Sequence, residues 1–222
     1  MNSSLAAKSL LGLAGATATA GLGTLAVKGL PSPKEQVSIS SLLSKDPSRR
    51  VIADGESSHW TSVWTSYKNS GKDIWGLGKG ESVPDDLKTT CKNKLDSKVE
   101  GKDSEEYQSF LSYCSRYTLV SDLISENNPN KEQIPKGNGE SQEWKKAWKA
   151  YVDDQRTSKT DNGDGVWKLG DWKDHHSKDV APASFMGKCE TNFQTPFYDL
   201  SGGLYLDTVS FCTKDKATTV NG

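Results

Sequence analysis

Aliphatic side chains are scarce in this sequence. Apolar residues make up only 33% of its 222 positions and there are two Met, which leaves too little material for one large aliphatic core. An excess of charge of either sign is also missing, with 28 basic residues against 29 acidic ones. The first thirty residues contain only Lys8 and Lys28 as charges, so the remainder carries 26 basic residues against 29 acidic and has no basic stripe for nucleic acid. No nucleophile elbow, phosphate-cradling glycine loop, zinc-protease helix or C-x-x-C pair occurs, and no residue is assigned a catalytic, cofactor-binding or metal-binding role. What is plentiful is aromatic: seven Trp and seven Tyr, large rigid side chains that bury much area per residue, predict small aromatic cores. Small cores are marginal, and four Cys are available to staple them.

Long hydrophobic runs are absent except at the start. Residues 9–27 hold nineteen uncharged positions anchored by Leu10, Leu11, Leu13, Leu22, Leu25 and Val27, enough to span a bilayer. Gly, Ala and Thr dilute that run, so residues 1–30 read as a transmembrane anchor or as a cleaved signal ending near Ala18-Thr19-Ala20. Lys28, Lys34 and Lys45 outnumber Lys8 on its flanks, which by the positive-inside rule would keep the rest in the cytoplasm; the cysteines, below, argue for the opposite side. Residues 31–50, rich in Ser, Pro and Lys, read as a stalk running into the first folded unit.

The chain resembles itself. Gly55-Glu56-Ser57 with Trp60, Trp64 and Tyr67 recurs as Gly139-Glu140-Ser141 with Trp144, Trp148 and Tyr151, at an offset of 84. Trp75-Gly76-Leu77-Gly78 recurs as Trp167-Lys168-Leu169-Gly170, and Cys91 and Cys114 recur as Cys189 and Cys212, each pair 23 apart. Residues 38–119 and 120–214 therefore read as two tandem, mainly α-helical modules, followed by a polar tail at 215–222. Trp60, Trp64 and Tyr67 stand at i, i+4 and i+7, which puts three rings on one helix face, with Ser57 or Ser58 as N-cap; Trp144, Trp148 and Tyr151 do the same behind Ser141. With Trp75 and Trp167 these eight aromatics form the expected repeat core. A second helix is expected after Pro84, carrying Cys91, and a third from Ser104. The third keeps helical spacing from Tyr107 through Cys114 to Leu123 and Ile124, which predicts one continuous helix joining the modules.

Four cysteines allow three pairings. A unit that carries two cysteines in each copy most simply closes on itself, giving Cys91–Cys114 and Cys189–Cys212, and bridges of that kind imply an oxidising exterior. Four buried free thiols are the bland alternative, and the spacing does not suit zinc. Residues 160–171 resemble a calcium loop, but Thr160 stands at the first ligand position and Asp171 at the twelfth. His175 and His176 lie beside Asp174 without an evident third ligand, so neither stretch is assigned a metal.

The W-x3-W-x2-Y helix, the W-x-L-G element and the run Ser112-Tyr113-Cys114-Ser115-Arg116-Tyr117-Thr118-Leu119-Val120 resemble the large paralogous family of uncharacterised proteins of the haemotropic mycoplasmas. The second half departs from that run, with Phe211 and then Lys214-Asp215. The resemblance implies an exported display set and carries no activity with it. The expectation is a non-enzymatic surface protein of the cell membrane with the bulk of the chain extracellular, membrane contact through its N-terminal segment and a host protein or glycan as candidate partner. Polar loops at 125–136 and 157–165 would face that partner. A self-associating envelope protein, or an enzyme with a site between modules, are the other readings.

Overall fold

Short aromatic periodicities separated by polar turns become short helices tied by shorter strands. The computed structural model describes residues 36–158 and 165–217, half of them helical. The order through the first half is β1 (Val37–Ser38), α1 (Ile39–Leu43), β2 (Arg49–Val51), α2 (Ser57–Ser70), α3 (Asp85–Lys94), β3 (Lys98–Val99), α4 (Glu105–Cys114) and β4 (Ser115–Tyr117). The second half follows with α5 (Val120–Asn127), β5 (Lys131–Gln133), α6 (Gln142–Asp153), α7 (Gln155–Ser158), α8 (Trp172–His175), α9 (Ala183–Phe193), α10 (Gly203–Cys212) and β6 (Thr213–Asp215). Each strand pair is antiparallel: β1 with β3, β2 with β4 and β5 with β6.

The helix starts follow their local chemistry. Ser104 and Ser141 cap α4 and α6, each hydroxyl accepting the N–H three residues on. α3 begins behind Pro84, with Asp85 and Asp86 at the positive end of its dipole. α2 differs from expectation, because Glu56 and not a serine stands at its N-cap, its carboxylate accepting the Ala53 N–H at 2.7 Å while also binding Arg116.

Two buried clusters form, one from Ile39 to Cys114 and one from Val120 to Cys212. Trp60, Trp64 and Tyr67 are buried on α2, as are Trp144, Trp148 and Tyr151 on α6, while Trp75 and Trp167 are partly buried against them. The ring geometry recurs. Trp64 stacks on Tyr67 at 5.5 Å and Trp148 on Tyr151 at 5.6 Å; Tyr67 meets Tyr113 edge-on at 5.0 Å and Tyr151 meets Phe211 edge-on at 5.3 Å. The second cluster adds Phe185 and Trp172, so it is the more aromatic of the two. Disulfides Cys91–Cys114 and Cys189–Cys212 clamp α3 to α4 and α9 to α10, with Cα separations of 5.3 and 5.4 Å.

The polar bonds recur as closely as the rings. The Trp60 indole donates to the Ala53 carbonyl and that of Trp144 to Pro135; the Trp64 indole donates to Gly80 and that of Trp148 to Lys178. The Tyr67 hydroxyl accepts the Trp75 N–H and the Tyr151 hydroxyl accepts that of Trp167. Ile52 N–H bonds Cys114 O, and Ile134 N–H bonds Cys212 O.

The continuous joining helix does not form. α4 stops at Cys114, Ser115 turns extended with its hydroxyl on the Leu111 carbonyl, and β4 pairs with β2 before α5 restarts at Val120. The helical spacing from Tyr107 to Ile124 is overridden by long-range partners: the β2 backbone, and Glu56 and Asp122 for Arg116. The stretch in which the stalk was read as running into the first unit is folded. Residues 37–50 contribute β1, α1 and most of β2, and Ile39 is fully buried. The 125–136 stretch is likewise no free loop, since β5 pairs with β6 and Ile134 is buried. No described helix is long and apolar enough to cross a membrane; the 1–30 segment lies outside the described residues.

Candidate functional site

Matching positions in the two halves line two matching surface grooves. The first, about 430 Å³, lies between α2, α4 and the β2–β4 ribbon; the second, about 650 Å³, lies between α6, α10 and the β5–β6 ribbon. The ribbons set the walls, since their registers place Arg49 across from Tyr117 in one and Lys131 across from Asp215 in the other. Arg49, His59, Val63, Ser112 and Arg116 of the first groove correspond to Lys131, Glu143, Ala147, Ser210 and Lys214 of the second. The scaffold bonds are kept while the groove chemistry changes. Gln194 and Pro196 of the second half also wall the first groove, beside Leu119 at the end of the first, so it sits at the junction of the halves.

That junction is held by charge and by backbone. Arg116 grips both oxygens of Asp122, at 2.6 and 2.9 Å, and its Nε donates to Glu56 at 2.7 Å; Arg50 pairs with Glu126 at 2.9 Å. Burial pushes the Asp122 carboxyl up, but the hydrogen bonds from Arg116 and the Leu119 N–H, with the charges of Arg116 and Arg50, outweigh it and hold the group below the usual carboxylate range. Burial works against the Arg116 charge too, and Asp122 and Glu56 raise it regardless. Thr118 ties the two halves through the main chain: its N–H bonds Ser48 O, its hydroxyl bonds Pro47 O, and its carbonyl accepts the Phe197 N–H. The first two bonds recur at Lys216, whose N–H and ammonium reach Asn130 O and Pro129 O.

Reactive-type side chains in the grooves are already engaged. Ser112 donates to the Gln108 carbonyl and Ser115 to that of Leu111, with Ser210 and Thr213 doing the same on α10, so these hydroxyl protons stabilise helix ends and face no base. Arg49 lies 3.9 Å over the exposed Tyr117 ring, forming an aromatic and cationic lip at the mouth of the first groove. The His176 ring stacks on Trp172 at 5.3 Å, and among the described residues no group of three or more His, Cys, Asp or Glu is placed to hold a metal. Thr160 and the following residues to 164 lie outside the described residues.

The eight aromatics and four cysteines singled out in the sequence are buried or partly buried in the two clusters, while most of the residues lining the grooves differ between the halves. The signal for the grooves is in the sequence mainly as difference: aligned positions near the buried clusters where the first half has Arg, His or Tyr and the second Lys, Glu or Asp. No family model, curated protein or solved structure matches the chain.

Proposed function

We propose that the chain is two diverged copies of one disulfide-stapled helical module, joined through Thr118, and that it is a non-enzymatic interaction or display protein held at the outer face of a cell membrane by its N-terminal segment. One observation carries the reading: the bonds that build each half recur position by position, while most of the residues lining the grooves do not. Selection that keeps a frame and varies its surface suits recognition better than catalysis, which needs fixed groups around an activated nucleophile. Two buried disulfides support an oxidising location. The resemblance to the haemotropic mycoplasma family points to host contact or antigenic display.

Protease treatment of intact cells tests location. Release or trimming of the 36–217 region before lysis is expected, and complete protection until lysis would refute display. Binding of the full chain to host-cell membranes, with and without reductant, tests recognition; equal binding to protein-free lipid vesicles would remove the case for a host protein or glycan. Self-association has its own supporting observation. Tyr198, Leu200 and Leu206 are exposed on the second half where the first half has Glu100, Lys102 and Gln108, and sedimentation of a Leu200→Lys, Leu206→Gln variant would show whether that patch joins copies.

A further inference from the structure

The second half holds an apolar pocket of about 300 Å³ between residues 133–137 and α9, at the small end of the range for ligand sites. Its floor is Ile134 and the face of Trp144, both buried, and its wall is Ala183, Met186 and Gly187. The Trp144 N–H is taken by the Pro135 carbonyl, so the indole offers only its apolar face. At the rim, the Lys136 ammonium lies 3.2 Å from Glu190, both side chains being well exposed.

The first half has the same groove in a different state. Ile52 and Trp60 line it, Lys88 stands where Met186 does with its ammonium 5.9 Å over the Trp60 ring, and the matching rim pair is Lys92 with Asp54 at 2.9 Å. The rim pair is therefore present in both halves with its polarity reversed. Below the rim, α9 lines its pocket with Ala183, Met186 and Gly187, all small or apolar, whereas α3 puts the charged Lys88 beside its Trp. Gly187 stands out energetically. It lies inside α9, where glycine costs about 1 kcal/mol relative to alanine, yet a Cβ there would meet nothing within 4 Å. No packing demand explains it. A residue that weakens its own helix to leave a pocket open has a functional reading.

We propose that this pocket binds a free apolar α-amino acid, its side chain on Trp144 and Ile134, its carboxylate on Lys136 and its ammonium on Glu190. An exposed ion pair contributes little by itself and is readily opened by a zwitterion that satisfies both partners. The site does not depend on where the chain is displayed. Titration calorimetry on the full chain with L-phenylalanine and L-leucine tests it, with L-glutamate and N-acetyl-L-phenylalanine amide as controls. The two apolar amino acids bind, and the blocked amide and glutamate bind at least about tenfold more weakly. Gly187→Leu, which fills the pocket and strengthens the helix, abolishes binding without lowering the melting temperature. The surface variants Lys136→Gln and Glu190→Gln keep the fold and each remove most of the preference for the free over the blocked form. Equal affinity for the blocked amide, unchanged affinity in Gly187→Leu or in both rim variants, or no heat of binding with any amino acid would overturn the proposal.

Discussion

The first and second halves of this chain share a frame and differ in what fills it. Both place a Trp-Trp-Tyr face on one helix, both clamp two helices with a disulfide, and both bring the chain back as a two-stranded ribbon. The second half is the more aromatic, with Phe185 where the first has Leu87, and with Trp172 added. Around Trp148 the rings of Tyr151, Trp172 and Phe185 all lie within 6 Å, whereas Trp64 has Tyr67. The lesson is that backbone-directed bonds of the indoles and of the tyrosine hydroxyl are kept in both halves, and the remaining volume tolerates exchange among apolar shapes.

That comparison is broken most directly by truncating the central indole. Trp64→Ala and Trp148→Ala should each cost about 3–5 kcal/mol, with the second at the upper end because it strips contacts from three rings as well as a carbonyl partner. Urea unfolding of both variants checks it; equal losses would mean that the extra rings in the second half add nothing. Next come the staples. Replacing Cys91 and Cys114 by Ser, or Cys189 and Cys212 by Ser, should cost about 3 kcal/mol in either half, because both bridges close loops of the same length and act on the unfolded chain. A clearly larger loss in one half would point to native-state packing as the source.

The charges at the junction separate the halves more sharply, since Asp122 has Ser41 as its counterpart. Asp122→Asn should cost about 1–3 kcal/mol, because Arg116 is left partly buried with Glu56 alone. The sign of the pH dependence follows from the lowered carboxyl. Its stabilisation is complete above the ordinary carboxylate value of 3.8 and is lost as pH falls through the lower folded-state value. Hydrogen exchange at the start of α5 should rise in that acid range in the native chain and be already raised at neutral pH in Asp122→Asn.

Much of the frame was legible in the sequence because it rests on local signals: Pro84 before two acids, Ser104 and Ser141 as caps, aromatics at helical spacing, and cysteines repeated in pairs. The break after Cys114 was not legible. Helical spacing continues to Ile124, and what ends α4 is strand pairing with residues some sixty-five positions earlier together with the two carboxylates around Arg116. The strand pairing of residues 37–51 was hidden for the same reason, as β1 and β2 find their partners in β3 and β4. The grooves and the Trp144 pocket were least legible, because most of the groove lining, and the wall and rim of the pocket, are residues in which the halves disagree.

The smallest expected effect tests the finest point of correspondence. The turn running into each W-x-L-G element has two matched left-handed positions, and the halves place their glycine at opposite ends of it: Asp73 and Gly76 have φ of 41° and 66°, while Gly165 and Lys168 have 65° and 53°. Asp73 is compensated, its carboxylate accepting from the Tyr67 hydroxyl and from the N–H groups of Leu77 and Gly78. Gly165 leaves no room for such a side chain, since a Cβ there would collide with the Tyr151 hydroxyl. Lys168 is exposed and carries its left-handed backbone with a side chain that glycine would not have. Lys168→Gly should therefore stabilise the second half by about 1 kcal/mol, and Gly76→Lys should destabilise the first by a similar amount. Paired urea titrations would read both, and a loss of stability in Lys168→Gly would mean that the two turns are not the same element.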